Sequence, residues 1–293
     1  MPPALNPHRF AYPALLAGNV ALAFGPWLVR LADTGAVAAG FWRLALALPF
    51  LWLLARAAGQ PVHWPGRKLT FAIAFAGFFF AADLAAWHAG IRLTKLGNAT
   101  LFGNFASFAF AAYGLWMARK WPSRLQAVAL TLAAAGCAAL IIGSAELSAR
   151  HVRGDTLALA AGLLYTGYLI IVERARDRLK PLPLLFLASL FGAAMLLPIS
   201  LAFGERIMPD DWLPLFILAF TSQIIGQGLL VYALGHVPPL VVGLAFLTQP
   251  AISAFIGWAV YGESMTSLDW IGAVAIGVAL VLVRLRLKNQ APN

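Results

Sequence analysis

Two oppositely charged side chains lie inside long apolar stretches of the sequence, where charge is otherwise nearly absent. Arg43 lies eight residues after the start of the stretch 35–57, and Asp83 lies eight residues before the end of the stretch 69–91. Burying such a group in a membrane costs on the order of 3 kcal/mol, so each is a candidate functional residue. We predict that Asp83 binds a substrate amino group or a proton. A buried ion pair between Arg43 and Asp83 is the structural alternative.

Side-chain amides lie near the middle of other apolar stretches, at Asn19, Asn104, Gln223, Gln227 and Gln249. Gln227 follows Gln223 by one helical turn and shares its face. Because an amide both donates and accepts hydrogen bonds, a set of amides suits a substrate that carries an ammonium and a carboxylate. We predict that these residues line a substrate pathway. The alternative for each amide is a hydrogen bond between helices, worth about 0.6 kcal/mol.

Aromatic residues extend the predicted pathway. Trp87 and His88 follow the aromatic run 78–80 in the stretch 69–91, and Tyr165 lies in the stretch 156–174. Rings of this kind form a wall on which a ring-bearing substrate stacks. A lone histidine more often makes a structural hydrogen bond, which is the alternative for His88. The sequence has no catalytic motif and no metal-ligand spacing, so we predict no catalysis, metal or cofactor.

Two further features concern helix packing. Gly103 and Ser107 belong to a stripe of small residues at a spacing of four, which permits close approach of two helices. Pro250 removes a backbone donor and leaves a carbonyl free about one turn earlier. We therefore predict a kink in the stretch 238–261.

The elements that must position these residues are membrane-spanning helices. Of the 293 residues, 61% are hydrophobic and 11% are charged, far from the composition of soluble domains. A bilayer core about 30 Å thick requires roughly 20 apolar residues per helix. Stretches of this kind occur at 11–30, 35–57, 69–91, 94–118, 124–144, 156–174, 182–203, 211–234, 238–261 and 268–285. We predict an all-α integral membrane protein with ten transmembrane helices.

The basic residues between these stretches predict the topology. With a cytoplasmic N-terminus, the inner connections hold 14 Lys and Arg residues and the outer connections hold 6. Both termini are therefore predicted to be cytoplasmic, in a multi-pass protein of the bacterial cytoplasmic membrane. The net charge of +10 comes from basic residues that lie near the ends of the predicted spans and form no single patch, which argues against a nucleic-acid partner. The expected partners are the lipid bilayer and a small-molecule substrate.

The chain also resembles itself at a shift of about half its length. At a shift of 144, Arg30 and Asp33 correspond to Arg174 and Asp177, and at a shift of 145 Asn104 corresponds to Gln249. Since each half holds five predicted helices, two such halves enter the membrane in opposite directions. We predict two inverted five-helix repeats at 1–149 and 150–293, an architecture typical of secondary transporters.

Short motifs along the whole chain resemble those of the drug/metabolite transporter superfamily, EamA type. They are Phe41-Trp42-Arg43-Leu44, Gln249-Pro250-Ala251, Tyr261-Gly262-Glu263 and Gly272. Within that superfamily the chain is most similar to exporters of aromatic amino acids. The resemblance implies an exporter of aromatic and other neutral amino acids that works by alternating access around a central cavity.

Other functions are weighed against this one. Another EamA-type substrate, a different metabolite or a lipophilic cation, is the first alternative. A membrane-embedded enzyme is less expected, because one Asp lies in the middle of a predicted span and the sequence has neither His-Glu-x-x-His nor Gly-x-Ser-x-Gly. The single cysteine, Cys137, excludes an intramolecular disulfide and a cysteine-based metal cluster. Proton coupling, direction and oligomeric state are left open by the sequence.

Overall fold

The structure, a computed structural model, describes residues 8–94, 96–119, 121–144, 148–262, 267, 270–272, 274, 275 and 278. Every regular element in these residues is helical. The elements are α1 His8–Ala23, α2 Gly25–Leu31, α3 Ala36–Ala57, α4 Arg67–Ile91, α5 Leu96–Gly103, α6 Phe105–Ala118, α7 Arg124–Ser144, α8 Ala149–Ala175, α9 Pro181–Ala202, α10 Leu213–Leu218, a π-helical segment Ala219–Gln227, α11 Gly228–Leu234, α12 Pro239–Phe246 and α13 Thr248–Tyr261.

Six helical stretches are long and apolar enough to cross a membrane. They are Phe10–Leu31, Ala36–Ala57, Arg67–Ile91, Ala149–Ala175, Pro181–Ala202 and Leu213–Leu234, and Phe105–Ala118 is a shorter apolar helix. These stretches agree with the all-α membrane protein predicted from the sequence. The predicted tenth helix, 268–285, lies largely outside the described residues.

Three of the predicted spans are each divided into two helices. The first breaks at Phe24, the fourth at Asn104 and the ninth at Leu247. Pro26 follows the first break and Pro250 follows the third, and a proline at these positions cannot donate to the preceding turn. At the third break the Leu247 N–H turns instead to the Leu244 carbonyl at 3.2 Å. The backbone therefore breaks within one turn before Pro250.

The predicted eighth span contains a π-helical segment, Ala219–Gln227, between α10 and α11. Its wider turn keeps Gln223 and Gln227 on the buried side of the segment. The segment crosses α1 closely, since a Cβ atom built on Gly18 would lie 3.0 Å from the Gly226 carbonyl oxygen. Two glycines thus bring the polar residues of the π-helical segment next to the first helix.

Helices from the two halves of the chain interlock to form the core. Helix α4 packs along α8 and α9, α3 packs along α9, and α6 packs against α12. Helix α1 packs against the π-helical segment and α11, while α5 contacts α8 and α13. The largest buried side chains at these contacts include Phe80, Phe110, Tyr168 and Phe246. The middle of the bundle is therefore built by both halves together.

One end of the bundle is held by hydrogen bonds between the connection before α3 and the connection after α9. The Glu205 carboxylate accepts from the Val37 N–H at 3.2 Å and from the Ala38 N–H at 2.8 Å, at the N-terminus of α3. A carboxylate is favourable there because the first N–H groups of a helix lack partners within the helix. Nearby, the Asp210 N–H donates to Asp33 at 2.7 Å, which lowers the pKa of that carboxyl.

Candidate functional site

A cavity lies in the middle of the bundle. The elements around it are α1, α3, α4, α5, α6, α8, the π-helical segment, α12 and α13. About 540 Å³ of space lies between its lining atoms, including the open space at its mouth. Its lining residues are Leu22, Arg43, Phe80, Asp83, Leu84, Trp87, Gly103, Asn104, Ala106, Tyr165, Gln227, Phe246 and Gln249.

Most of the residues predicted for a substrate pathway meet at this cavity. Asp83, Trp87, Asn104, Tyr165, Gln227 and Gln249 line it, and so do Arg43 and Gly103. Asn19, His88, Gln223 and Ser107 are not among its lining residues, and the side chain of Pro250 lies outside the described part of the chain. These residues therefore share one cavity, and their role in binding a substrate stays a prediction.

Arg43 and Asp83 both line the cavity, but they do not form the ion pair that was the structural alternative for them. Among the described residues an ion pair joins Arg206 to Asp210 instead. The Arg43 Nε donates instead to Gln223 Oε1 at 3.2 Å, and Gln223 Nε2 donates to Ser189 Oγ at 2.9 Å. In place of a direct ion pair, hydrogen bonds link Arg43, Gln223 and Ser189. They hold the guanidinium against α9 and the π-helical segment.

Both charged groups are deeply buried, with 3% of Arg43 and 8% of Asp83 exposed. In the described part of the chain, neither the Arg43 η nitrogens nor the Asp83 carboxylate oxygens have a hydrogen-bond partner. The Arg43 guanidinium also lies over the Phe80 ring, 5.8 Å from its centroid. A cation–π contact of this kind orients the guanidinium without using its N–H donors. The cavity therefore presents one cationic and one anionic group that are both free to bind a ligand.

Gln227 supplies a third polar group. Its Nε2 donates to the Tyr165 hydroxyl at 2.9 Å, while its Oε1 is buried and has no partner among the described residues. An unpaired buried carbonyl oxygen costs roughly 1–3 kcal/mol, which a donor on a bound ligand offsets. Gln227 is thus an acceptor that the protein leaves available at the cavity wall.

Aromatic rings form one side of the cavity. Phe80 stacks on Tyr168 at 4.5 Å between centroids, Tyr168 stacks on Tyr165 at 5.5 Å, and Tyr165 meets Phe246 edge-on at 5.8 Å. The other two residues of the run 78–80 take no part, because Phe78 is 47% exposed and Phe79 packs on Gly167. The predicted aromatic wall is therefore built by α4, α8 and α12, with one residue of the run.

The remaining amides bond to other parts of the protein. Asn19 Oδ1 accepts from Gln249 Nε2 at 2.8 Å, which joins α1 to α13. Asn104 Nδ2 donates to the Thr100 carbonyl at 2.7 Å, and the Ser107 hydroxyl donates to Asn104 Oδ1 at 3.4 Å. These contacts match the alternative role of a hydrogen bond between or within helices. Asn104 and Gln249 nevertheless present part of their surface to the cavity.

Trp87 and His88 are neighbours in α4 but make different contacts. The indole of Trp87 occupies the space that a side chain at position 103 would fill, since a Cβ on Gly103 would lie 3.0 Å from Trp87 Nε1. His88 is fully buried, and its Nδ1 lies 2.8 Å from the Ala36 carbonyl oxygen, to which it donates. Trp87 thus lines the cavity, whereas His88 fixes α4 to the N-terminus of α3.

Several residues of the site carry no signal in the sequence. Leu22, Leu84 and Ala106 line the cavity, yet as apolar residues in apolar stretches they look like any lipid-facing position. Ser189 holds Gln223 but is a single hydroxyl in a leucine-rich helix. Within the described residues, no group of three or more His, Cys, Asp or Glu side chains lies close enough together to hold a metal ion.

Comparisons with known proteins give the family of the second half of the chain. No curated protein matches the sequence. A solved crystal structure covers 96% of this chain and 98% of its own, with a TM-score of 0.72 at 13% identity, which shows a similar fold. The family model described as the EamA-like transporter family matches residues 152–285. Residues 152–285 of the chain are therefore similar to the EamA-like transporter family of the drug/metabolite transporter superfamily.

Proposed function

We propose that this protein is a secondary transporter that exports amino acids, aromatic and other neutral ones, across the bacterial cytoplasmic membrane. Its substrate binds in the central cavity, and the two halves of the chain move around it so that the cavity opens to one side at a time. The EamA-like transporter domain supports the class of protein. The chemistry of the cavity supports the class of substrate.

The observation that carries this proposal is the composition of the cavity wall. It combines one carboxylate and one guanidinium with amides and aromatic rings. Because the two charges oppose each other, the wall favours a solute whose own charges also sum to zero. Phe80, Trp87 and Tyr165 add apolar area for a ring or an apolar side chain. A neutral amino acid has both properties.

The proposed architecture has ten spans in two inverted repeats, 1–149 and 150–293, with both termini in the cytoplasm. Helix packing supports the repeat. When each element is exchanged for its counterpart in the other half, the contact of α4 with α8 becomes that of the π-helical segment and α11 with α1. The contact of α6 with α12 becomes that of α13 with α5, and the contact of α3 with α9 maps onto itself. Two halves related in this way can exchange their arrangements, which is the basis of alternating access.

The cavity is less suited to the alternative substrates. A lipophilic cation would meet the Arg43 guanidinium, which repels it and has no anion bonded to it among the described residues. An enzymatic function is less supported, because among the described lining residues Asp83 is the one carboxylate and a paired-carboxylate mechanism needs two.

The test is uptake of labelled phenylalanine by liposomes that contain the purified protein. We expect saturable uptake well above that of empty vesicles, with competition by other neutral amino acids and little competition by lysine. Uptake without a pH gradient would identify a facilitator, and uptake that requires the gradient would identify proton coupling. No uptake above empty vesicles from correctly folded protein would refute the proposal.

A further inference from the structure

We propose that the cavity recognises its substrate at both charged ends, with Arg43 binding the α-carboxylate while Asp83 and the Gln227 carbonyl oxygen bind the α-ammonium. The inference rests on the proposed function and names the substrate as a zwitterionic α-amino acid. It assigns Arg43 to substrate specificity in place of an ion pair with Asp83.

The guanidinium is prepared to bind a carboxylate. Its Nε is held by Gln223, which is held in turn by Ser189, and its face is held by Phe80. Arg43 lines the cavity, and its two η nitrogens have no hydrogen-bond partner among the described residues. A planar guanidinium fixed at Nε presents a rigid donor fork that matches the two oxygens of a carboxylate. Such a pair is stronger and more directional than one made by a lysine.

The opposite charge is provided by two acceptors. The Asp83 carboxylate has no hydrogen-bond partner in the described part of the chain, and the Gln227 Oε1 is buried and also lacks one. An ammonium has three donors and no acceptor, so it can bond to both groups at once. Gln227 is positioned for this role because its Nε2 is already used by the Tyr165 hydroxyl.

The separation of Arg43 from Asp83 keeps both charges available to a substrate. If they formed a salt bridge, a substrate would have to break a strong buried pair before it could bind. Because Arg43 bonds to Gln223 instead, each charge is available to the substrate. A substrate that carries only one charge leaves the other protein charge buried and unpaired, which penalises its binding. The site should therefore reject both amines and acids of the same shape.

The test compares phenylalanine with two analogues: phenylethylamine, which lacks the carboxylate, and phenylpropionate, which lacks the ammonium. Affinity is measured from the rise in unfolding temperature of the purified protein with increasing ligand. We expect the unaltered protein to bind phenylalanine at least about tenfold more tightly than either analogue. In Arg43→Gln the ratio of the affinity for phenylalanine to that for phenylethylamine should fall to nearly one. The preference for phenylalanine over phenylpropionate should remain.

In Asp83→Asn the pattern should reverse, with the preference over phenylpropionate lost and the preference over phenylethylamine kept. If either residue had only a structural role, its substitution would lower the affinity for all three ligands by the same factor. That result would overturn the inference. Arg56→Gln, which changes an exposed arginine at the end of α3, is the matched control and should leave both preferences unchanged. Uptake of phenylalanine by the unaltered protein in liposomes tests the proposed function separately. If uptake is present and the crossed pattern is absent, the two-ended recognition is wrong although the transport assignment stands.

Discussion

Asp83→Asn is expected to reduce phenylalanine uptake by at least about tenfold while the protein remains folded. The carboxylate is buried at the cavity wall and has no hydrogen-bond partner among the described residues, so its charge contributes little to holding the helices together. Asparagine has nearly the same shape but carries no charge for an ammonium or a proton. The measurement is initial uptake into liposomes at matched protein density, with unfolding temperature recorded on the same preparations.

The control for this variant is Asp177→Asn, which removes a carboxylate that is exposed and lies outside the cavity lining. Its uptake should equal that of the unaltered protein. If Asp83→Asn also transports at the unaltered rate, the carboxylate does not contact the substrate. A large fall in unfolding temperature would instead show that Asp83 is a structural residue.

Gly243→Ala is expected to destabilise the protein and to stop transport. A Cβ atom at this position would lie 2.5 Å from the Ser107 carbonyl oxygen and 3.0 Å from the Ala111 backbone nitrogen. Both are backbone atoms of α6, so neither can move aside as a side chain would. Forcing atoms into a packed contact of this kind costs about 1–3 kcal/mol or more. Thermal unfolding in detergent should show a transition several degrees lower.

The effect on transport follows from the position of Gly243 in α12. That helix carries Phe246 into the cavity wall, and α12 and α6 come from the two halves proposed to move against each other. Gly66→Ala is the matched control, because a Cβ there would meet no atom within 4 Å. A Gly243→Ala protein with unaltered stability and uptake would show that the close approach of α6 and α12 is not required.

The helices of this fold could be predicted from the sequence because their cause is local. Runs of about 20 apolar residues are helical in a bilayer whatever surrounds them, since every backbone N–H must find its partner within the chain. The break before Pro250 was predictable for the same reason, as proline lacks the N–H. The break at Asn104 and the π-helical segment Ala219–Gln227 were not, because no proline lies at either place and a glycine in an apolar stretch does not by itself mark a break.

The residues of the cavity were partly predictable for a different reason. A polar side chain in the middle of an apolar stretch must face protein or a cavity, so Asp83, Asn104 and Gln227 could be listed without coordinates. Their partners could not be listed, because depth along a helix does not give its rotation or its neighbour. Arg43 and Asp83 share a depth, yet Arg43 bonds to Gln223, which is 180 residues away in the chain.

The central claim is that amino acids pass through this cavity, and its most direct test uses a cysteine in the wall. Cys137, the single cysteine, is replaced by serine, and Leu22→Cys introduces a thiol at the cavity. Ala58→Cys, at the exposed end of α3, serves as the control. Phenylalanine uptake is measured before and after reaction with a small thiol reagent. We expect modification at position 22 to abolish uptake and phenylalanine to slow that reaction severalfold, with neither effect at position 58. Uptake that survives complete modification at position 22 would contradict the account.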